Sequence, residues 1–178
     1  MEKWSVAVCE PEKNDGASLF LMNRSKTLVS VHKRLKFDPL ILFKKLERIK
    51  FPFKYTDKLE RIYFTVLTGN AAGWYENDEI WIDVSQNQID CVAEVFVHEV
   101  GHHIEEHESV ASFLHEERMK KSKRFSNEFS EKSDDEYMAL GFERYYDEDK
   151  SYRRALRKKN PLLYKTIQLL HRDYSQKG

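Results

Sequence analysis

The sequence predicts an α+β chain: a small N-terminal sheet, one long helix with a polar face, then a mostly helical C-terminal half. Three observations carry this. Polar and apolar residues alternate in short runs as far as residue 84, most clearly in Glu79-Ile80-Trp81-Ile82-Asp83-Val84. From about residue 89 the spacing becomes helical, with Ile89, Ala93, Phe96, Val100 and Ile104 on one stripe. Beyond residue 134 helical spacing continues almost to the end. The 178 residues suit one domain, 1–178, and contain no internal repeat.

Residues 4–9 and 18–31 read as short strands: Trp4, Val6 and Val8 alternate with other residues, and Leu28, Val29 and Val31 favour β structure. Asn14-Asp15-Gly16 between them is a turn signal. These first 35 residues are expected to be accessory strands, either a hairpin or a lid. Asp38 then caps a helix that has Pro39 in its first position. Leu40, Leu42, Phe43, Leu46 and Ile49 form its apolar side, Lys44, Lys45, Glu47, Arg48 and Lys50 its polar side, and Pro52 stops it.

Leu59 to Leu67 reads as a buried strand and Gly69 to Gly73 as a loop. A strand opening at Trp74-Tyr75 turns at Asn77-Asp78 into the alternating run quoted above, which makes a hairpin. An exposed edge here could take up an extended peptide as a further strand. On that reading Trp74, Tyr75, Ile80, Trp81 and Ile82 are candidate substrate-binding residues; otherwise the hairpin is purely structural.

The long helix spans residues 89–107, capped by Asn87 or Asp90, and contains His98-Glu99-Val100-Gly101-His102. Histidines four apart share a helix face and can grip one metal ion. Glu99 lies about 100° round, where it reaches a water on the metal more readily than the metal itself. Two imidazoles, a carboxylate base and an open position are what a zinc hydrolase requires. His98 and His102 are therefore candidate ligands of Zn2+, and Glu99 the candidate general base. Both histidines lie about 200–240° round from Phe96, so the stripe packs on the domain while the opposite face is left for the metal.

A second helical segment is expected over 109–124 with Val110, Phe113 and Leu114, followed by a loop over 125–133. The next helix, 134–147, lines one side with Tyr137, Leu140, Phe142 and either Tyr145 or Tyr146. The basic stretch Lys150, Arg153, Arg154, Arg157, Lys158 and Lys159 reads as a solvated helix face or as a dock for an acidic partner or a phosphate. Pro161 opens the last helix, whose apolar residues are Leu162, Leu163, Ile167 and Leu170.

Two histidines leave a zinc site one protein ligand short. The metzincin pattern would supply a histidine six positions after His102, beyond a helix-breaking glycine; Glu108 and Glu105 stand there instead. A carboxylate from the helix after Asp134 remains, with Asp135, Glu136 and Glu143 as candidates.

The pairing of HEVGH with the downstream SDDEYMALGFERYY resembles the catalytic domain of anthrax lethal factor and its relatives, a gluzincin-type group that includes the Pro-Pro endopeptidases. The resemblance also takes in the hairpin from Trp74 to Val84 and the segment from Asn160-Pro161-Leu162 to Leu170, and extends over about residues 36–174. It implies a zincin-like metallopeptidase domain. The family pattern E-[FY]-x-A-x-x-F is matched by Glu136-Tyr137-Met138-Ala139-Leu140-Gly141-Phe142, which implies Glu136 as the third ligand. Two positions depart from the family. Leu140 stands where a second glutamate often occurs, and Phe129 where a tyrosine steadies the developing oxyanion. Phenylalanine cannot donate a hydrogen bond, so Tyr137, Tyr145, Tyr146 and His103 are candidates for that role.

The implied activity is zinc-dependent endopeptidase action on a protein or extended peptide, with Glu99 taking a proton from the attacking water and passing it to the leaving amine. The rival is a zinc-binding domain of weak or no activity that serves as a protein-interaction module, favoured by Phe129 and the basic stretch. Thirty basic residues balance thirty acidic ones, which argues against nucleic acid as a partner. No apolar run approaches the roughly 20 residues needed to span a membrane. The N-terminus meets Glu10, Glu12 and Lys13 too early for a signal-peptide core, so a cytoplasmic protein, or one exported without a cleavable signal, is expected. Cys9 and Cys91 make neither a disulfide framework nor a cysteine zinc site, and a monomer is expected.

Overall fold

Six strands form one mixed sheet: β1 (Val6–Val8), β2 (Ala17–Met22), β3 (Leu28–His32), β4 (Arg61–Thr65), β5 (Gly73–Glu76) and β6 (Glu79–Asp83), in the spatial order β1-β2-β3-β4-β6-β5. Among the described residues five α-helices accompany it: α1 (Pro39–Arg48), α2 (Ile89–His107), α3 (Asp134–Tyr146), α4 (Lys150–Lys159) and α5 (Pro161–Gln176). The computed structural model describes residues 6–8, 17–22, 27–85, 88–108 and 134–176, with side chains in 27–85, 88–108 and 136–176. The architecture is α+β with a mostly helical C-terminal half, as the sequence predicts.

β1, β2 and β3 pair antiparallel, β3, β4 and β6 run parallel, and β5 returns antiparallel along the edge of β6. Residues 18–31 thus hold parts of two strands. β3 is interior to the sheet, so the N-terminal segment is not simply accessory: Val29 and Val31 belong to the core. Register aligns the inward residues across three strands. Val29 lies opposite Ile62 and Ile62 opposite Ile80; Val31, Phe64 and Ile82 form the next rung. The predicted strand from Leu59 to Leu67 shortens to Arg61–Thr65. Between β5 and β6, Asn77 and Asp78 both adopt positive φ, 50° and 61°. That is the backbone a two-residue hairpin turn with right-handed strand twist demands.

In α1 the Asp38 carboxylate accepts from Leu40 N at 2.9 Å and Pro39 occupies the first turn. Leu42, Phe43 and Leu46 are buried, whereas Leu40, expected on the apolar side, is exposed. Lys45 moves the other way: it is buried, its ammonium 2.6 Å from Asp90 and 3.3 Å from Glu148. Asp90 is committed to this pair and does not cap α2. The cap position is Gln88, whose side chain makes no capping bond, and Asn87 lies outside the described residues.

α2 crosses β5 and β6 and is buried on more than its predicted stripe: Val92, Val97, Glu99, Gly101 and His103 are also buried. The added burial comes from α3 and from the β5–β6 hairpin, which covers Glu99 and His103. A methyl placed on Gly101 would stand 2.6 Å from Ala139 Cα, so the two backbones touch at this crossing. The inward face of α3 is Met138, Ala139, Phe142, Tyr145 and Tyr146, rotated from the expected one, and Tyr137 and Leu140 are only half-buried. Gly141 admits Leu163 and Ile167 of α5 in the same manner. The Tyr146 hydroxyl donates to Tyr55 Oη at 3.1 Å and meets His171 Nδ1 at 3.0 Å. The basic stretch forms its own helix, α4, with Asp149 accepting from Ser151 N at 2.8 Å. The expected helix 109–124, the loop 125–133 and Phe129 lie outside the described residues. Among the described residues no helix is long and apolar enough to cross a membrane.

Gly101→Ala tests the crossing, because helix propensity alone would make alanine stabilising by about 1 kcal/mol. The contact with Ala139 reverses the sign: overpacking should lower stability by about 1–3 kcal/mol, seen as a lower midpoint in denaturant or thermal melts.

Candidate metal centre

His98 and His102 stand one helical turn apart on α2, ring centroids 5.0 Å from each other. α3 crosses above them and delivers Glu136, whose carboxylate oxygens lie 3.5 Å from His98 Nε2 and 3.9 Å from His102 Nε2. The three ligand atoms all fall within 4.8 Å of one another. Tetrahedral zinc with bonds of about 2.0–2.1 Å spaces its ligand atoms about 3.3 Å apart, so this nitrogen, nitrogen and oxygen set fits zinc after small side-chain movements. The face opposite the apolar stripe is therefore not left open to solvent but lies in the seam beneath α3. His98 and His102 side chains retain 17% and 18% of their exposure.

Glu143, one of the three carboxylates weighed as a ligand, lies instead on the far side of the His98 ring, its Oε2 3.3 Å from Nδ1. With Nδ1–H donating to Glu143, Nε2 presents its lone pair toward Glu136, the arrangement by which a carboxylate orients a metal-binding histidine. Burial pushes the His98 imidazole down, but the Glu143 hydrogen bond and the charges of Glu99, Glu136 and Glu143 outweigh it and hold the group above its ordinary value. The Asp135 side chain lies outside the described residues.

Glu99 is 5% exposed. Burial, then the charge of Glu136, raises its carboxyl from 4.5 to about 7 against the opposing pull of His98. A methyl on Gly73 would sit 2.9 Å from Glu99 Oε1 and 2.6 Å from Val95 Cγ1, so the glycine lets β5 lie directly against this part of α2. Sequence reasoning gave Gly73 only to a loop. Its one local signal was a glycine entering a strand shortly before α2.

The candidate substrate residues separate sharply. Ile80 and Ile82 are fully buried on the inner face and are unavailable to a ligand, and β6 is paired on both sides. Trp81 stacks on Tyr63 at 5.1 Å and 7°, with Trp74 at 5.3 Å and half-exposed beside it. Tyr75 is directed at the end of α2, its hydroxyl 3.3 Å from His103 Nδ1. Beside α2, β5 is the sheet's edge strand. The oxyanion candidates are engaged elsewhere. Tyr137 donates to Asn160 Oδ1 at 3.5 Å, and Tyr146 is bonded to Tyr55. The Tyr145 ring lies 4.5 Å from the Arg153 guanidinium.

His103 faces the hairpin turn and not Glu136. It forms a second cluster with Asp78 and His107, again with ligand atoms all within 4.8 Å. Burial, then the neighbouring His107, pushes the His103 imidazole down to about 4. Burial would raise Asp78, but the hydrogen bond and charge of His107 hold its carboxyl below the ordinary range.

A family model described as anthrax toxin lethal factor, N- and C-terminal domain, matches residues 54–170, a span that takes in the hairpin, α2, α3 and most of α5. No curated protein matches the chain.

The raised Glu99 carboxyl predicts the pH dependence of the metal-free protein. The folded state holds this proton up to about 7 and the unfolded state only to about 4.5, so stability is fully present below 4.5 and declines as pH rises through 7. Glu99→Gln should abolish that part of the decline and be more stable than the parent at pH 8 by on the order of 1–3 kcal/mol, measured by urea unfolding in chelator at pH 5 and pH 8.

Proposed function

The chain belongs to the anthrax toxin lethal factor family, and from that premise we propose that it is a zinc-dependent endopeptidase acting on a protein or extended peptide. The observation that carries the reading is the convergence of Glu136 on His98 and His102, with Glu99 buried between that group and the edge strand. Zinc held by His98, His102 and Glu136 would supply Lewis-acid chemistry, lowering the pKa of a water towards about 7 and polarising the scissile carbonyl.

The remaining work falls to the chain's own residues. Glu99, with a carboxyl near neutrality in the metal-free protein, suits a group that takes a proton from water and returns it to the leaving amine. Glu143 fixes the His98 ring so that Nε2 stays directed at the shared position. The backbone of β5 offers an extended peptide a partner strand, which would set a scissile bond beside Glu99. Half-exposed Trp74 stands beside Trp81 on the face of that edge away from α2, where it would meet only those substrate side chains directed to the outer face. Ile80 and Ile82 drop out of the substrate site, since they form the core beneath it.

A zinc-binding interaction module without turnover is the second reading. The exposed face of α4, with Lys150, Arg154, Arg157, Lys158 and Lys159, favours it as a surface for an acidic partner. Arg153 is withdrawn from that face by its contact with Tyr145.

Cleavage of a peptide library by the zinc-loaded chain, suppressed by a chelator, separates the two readings. Glu99→Gln should retain zinc and lose about 10²–10⁴-fold in turnover; turnover at the parent level would overturn the assignment. Glu136→Ala should lose the ion from this site. Glu143→Gln should weaken it by about 10–100-fold, read by competition with a chromogenic chelator.

A further inference from the structure

We propose that Asp78, His103 and His107 form a second divalent-metal site, suited to zinc, which pins the β5–β6 turn to the last turn of α2. The site stands on its own residues and does not depend on the peptidase reading. α2 carries two histidine pairs at the same four-residue spacing, one position out of step: His98 with His102, and His103 with His107. The offset turns the second pair away from α3 and towards the hairpin.

There the left-handed backbone of Asn77 and Asp78 folds the Asp78 carboxylate back over the helix. Asp78 Oδ1 accepts a hydrogen bond from His107 Nε2, lies 3.3 Å from His103 Nδ1 and 3.2 Å from the Tyr75 hydroxyl. The two imidazoles are 4.6 Å apart, and His103 is 2% exposed, so its ring is held in place by its surroundings. Two imidazole nitrogens and a carboxylate oxygen converging within 4.8 Å are a zinc donor set, whereas magnesium and calcium prefer all-oxygen shells. The ion would replace the hydrogen bonds that now join these groups. Tyr75 would remain as a donor to the carboxylate, a common way of orienting a ligating oxygen.

Three protein ligands leave one position. A water would fill it; His103 and His107 also line a cleft with Lys54, Asp57, Lys58 and Tyr174. Because the same hairpin carries the β5 edge, an ion here would join that edge to α2 at a second point beyond the Gly73 contact.

The test counts zinc per untagged chain by native mass spectrometry at saturation, with circular dichroism of the metal-free proteins to verify folding. The parent chain should hold two ions. Asp78→Asn, which keeps the shape of the turn, and His107→Gln should each hold one, and so should His98→Gln/His102→Gln. The residual ion of that double variant should disappear when His107→Gln is added. Cobalt in the double-variant background should give the intense visible absorption of a four-coordinate site, and His107→Gln should abolish it. A parent chain that binds one ion, lost in His98→Gln/His102→Gln and kept in His107→Gln, would overturn this site and leave the proposed function standing. One ion with the opposite pattern would uphold this site and overturn the first centre. Two ions retained in both Asp78→Asn and His107→Gln would also overturn it.

Discussion

Backbone contact between Gly101 of α2 and Ala139 of α3 governs the geometry of everything around the cluster of His98, His102 and Glu136. At that crossing even one added methyl would stand 2.6 Å from a backbone carbon. Glu136 lies one turn before Ala139, and His98 and His102 lie to either side of the Gly101 contact. Bringing the helices this close is what allows one short carboxylate to span both imidazoles. Glycine inside a helix costs about 1 kcal/mol relative to alanine. The chain accepts that cost at a position where any side chain would lever Glu136 off the histidines.

The crossing also concentrates charge. Glu99, Glu136 and Glu143 gather around His98 in a sheltered seam. Burial and the charge of Glu136 raise the carboxyl of Glu99, the least exposed of the three, to about 7 against the pull of His98. A cation at the focus of His98, His102 and Glu136 would offset this crowding and favour ionised Glu99, since the ion's charge dominates its neighbours. Within this arrangement the two nitrogens of His98 have different partners, Glu143 on one side and Glu136 on the other. That division of labour sets the ring's orientation without a further ligand.

One helix thus serves three surfaces. Phe96, Val100 and Ile104 enter the core beneath the sheet, His98 and His102 meet α3, and His103 and His107 meet the hairpin turn. This is why α2 is buried over so much of its circumference and why its apolar stripe understates its packing. The hairpin is held to it at both ends, by Gly73 against Glu99 and by Asp78 against the terminal histidines.

Local order was legible in the residues because it depends on neighbours in the chain. β-Branched and aromatic residues marked β4, alternation marked β6, Asp38-Pro39 marked the start of α1, Asn77-Asp78 marked the turn, and the 89–107 helix holds to its predicted bounds. The four-residue spacing of His98 and His102 fixed a shared face before any fold was known, and resemblance to a family singled out Glu136. Tertiary structure decided what no local pattern encodes. It placed β3 inside the sheet, buried Lys45 between Asp90 and Glu148, and turned Ile80 and Ile82 into the core. It set Glu143 on His98 and Asp78 on His107, partners 45 and 29 residues apart. Periodicity reports which face of an element is apolar. Which partner that face meets is set by how the elements pack, and here the packing turns on the small residues at one crossing.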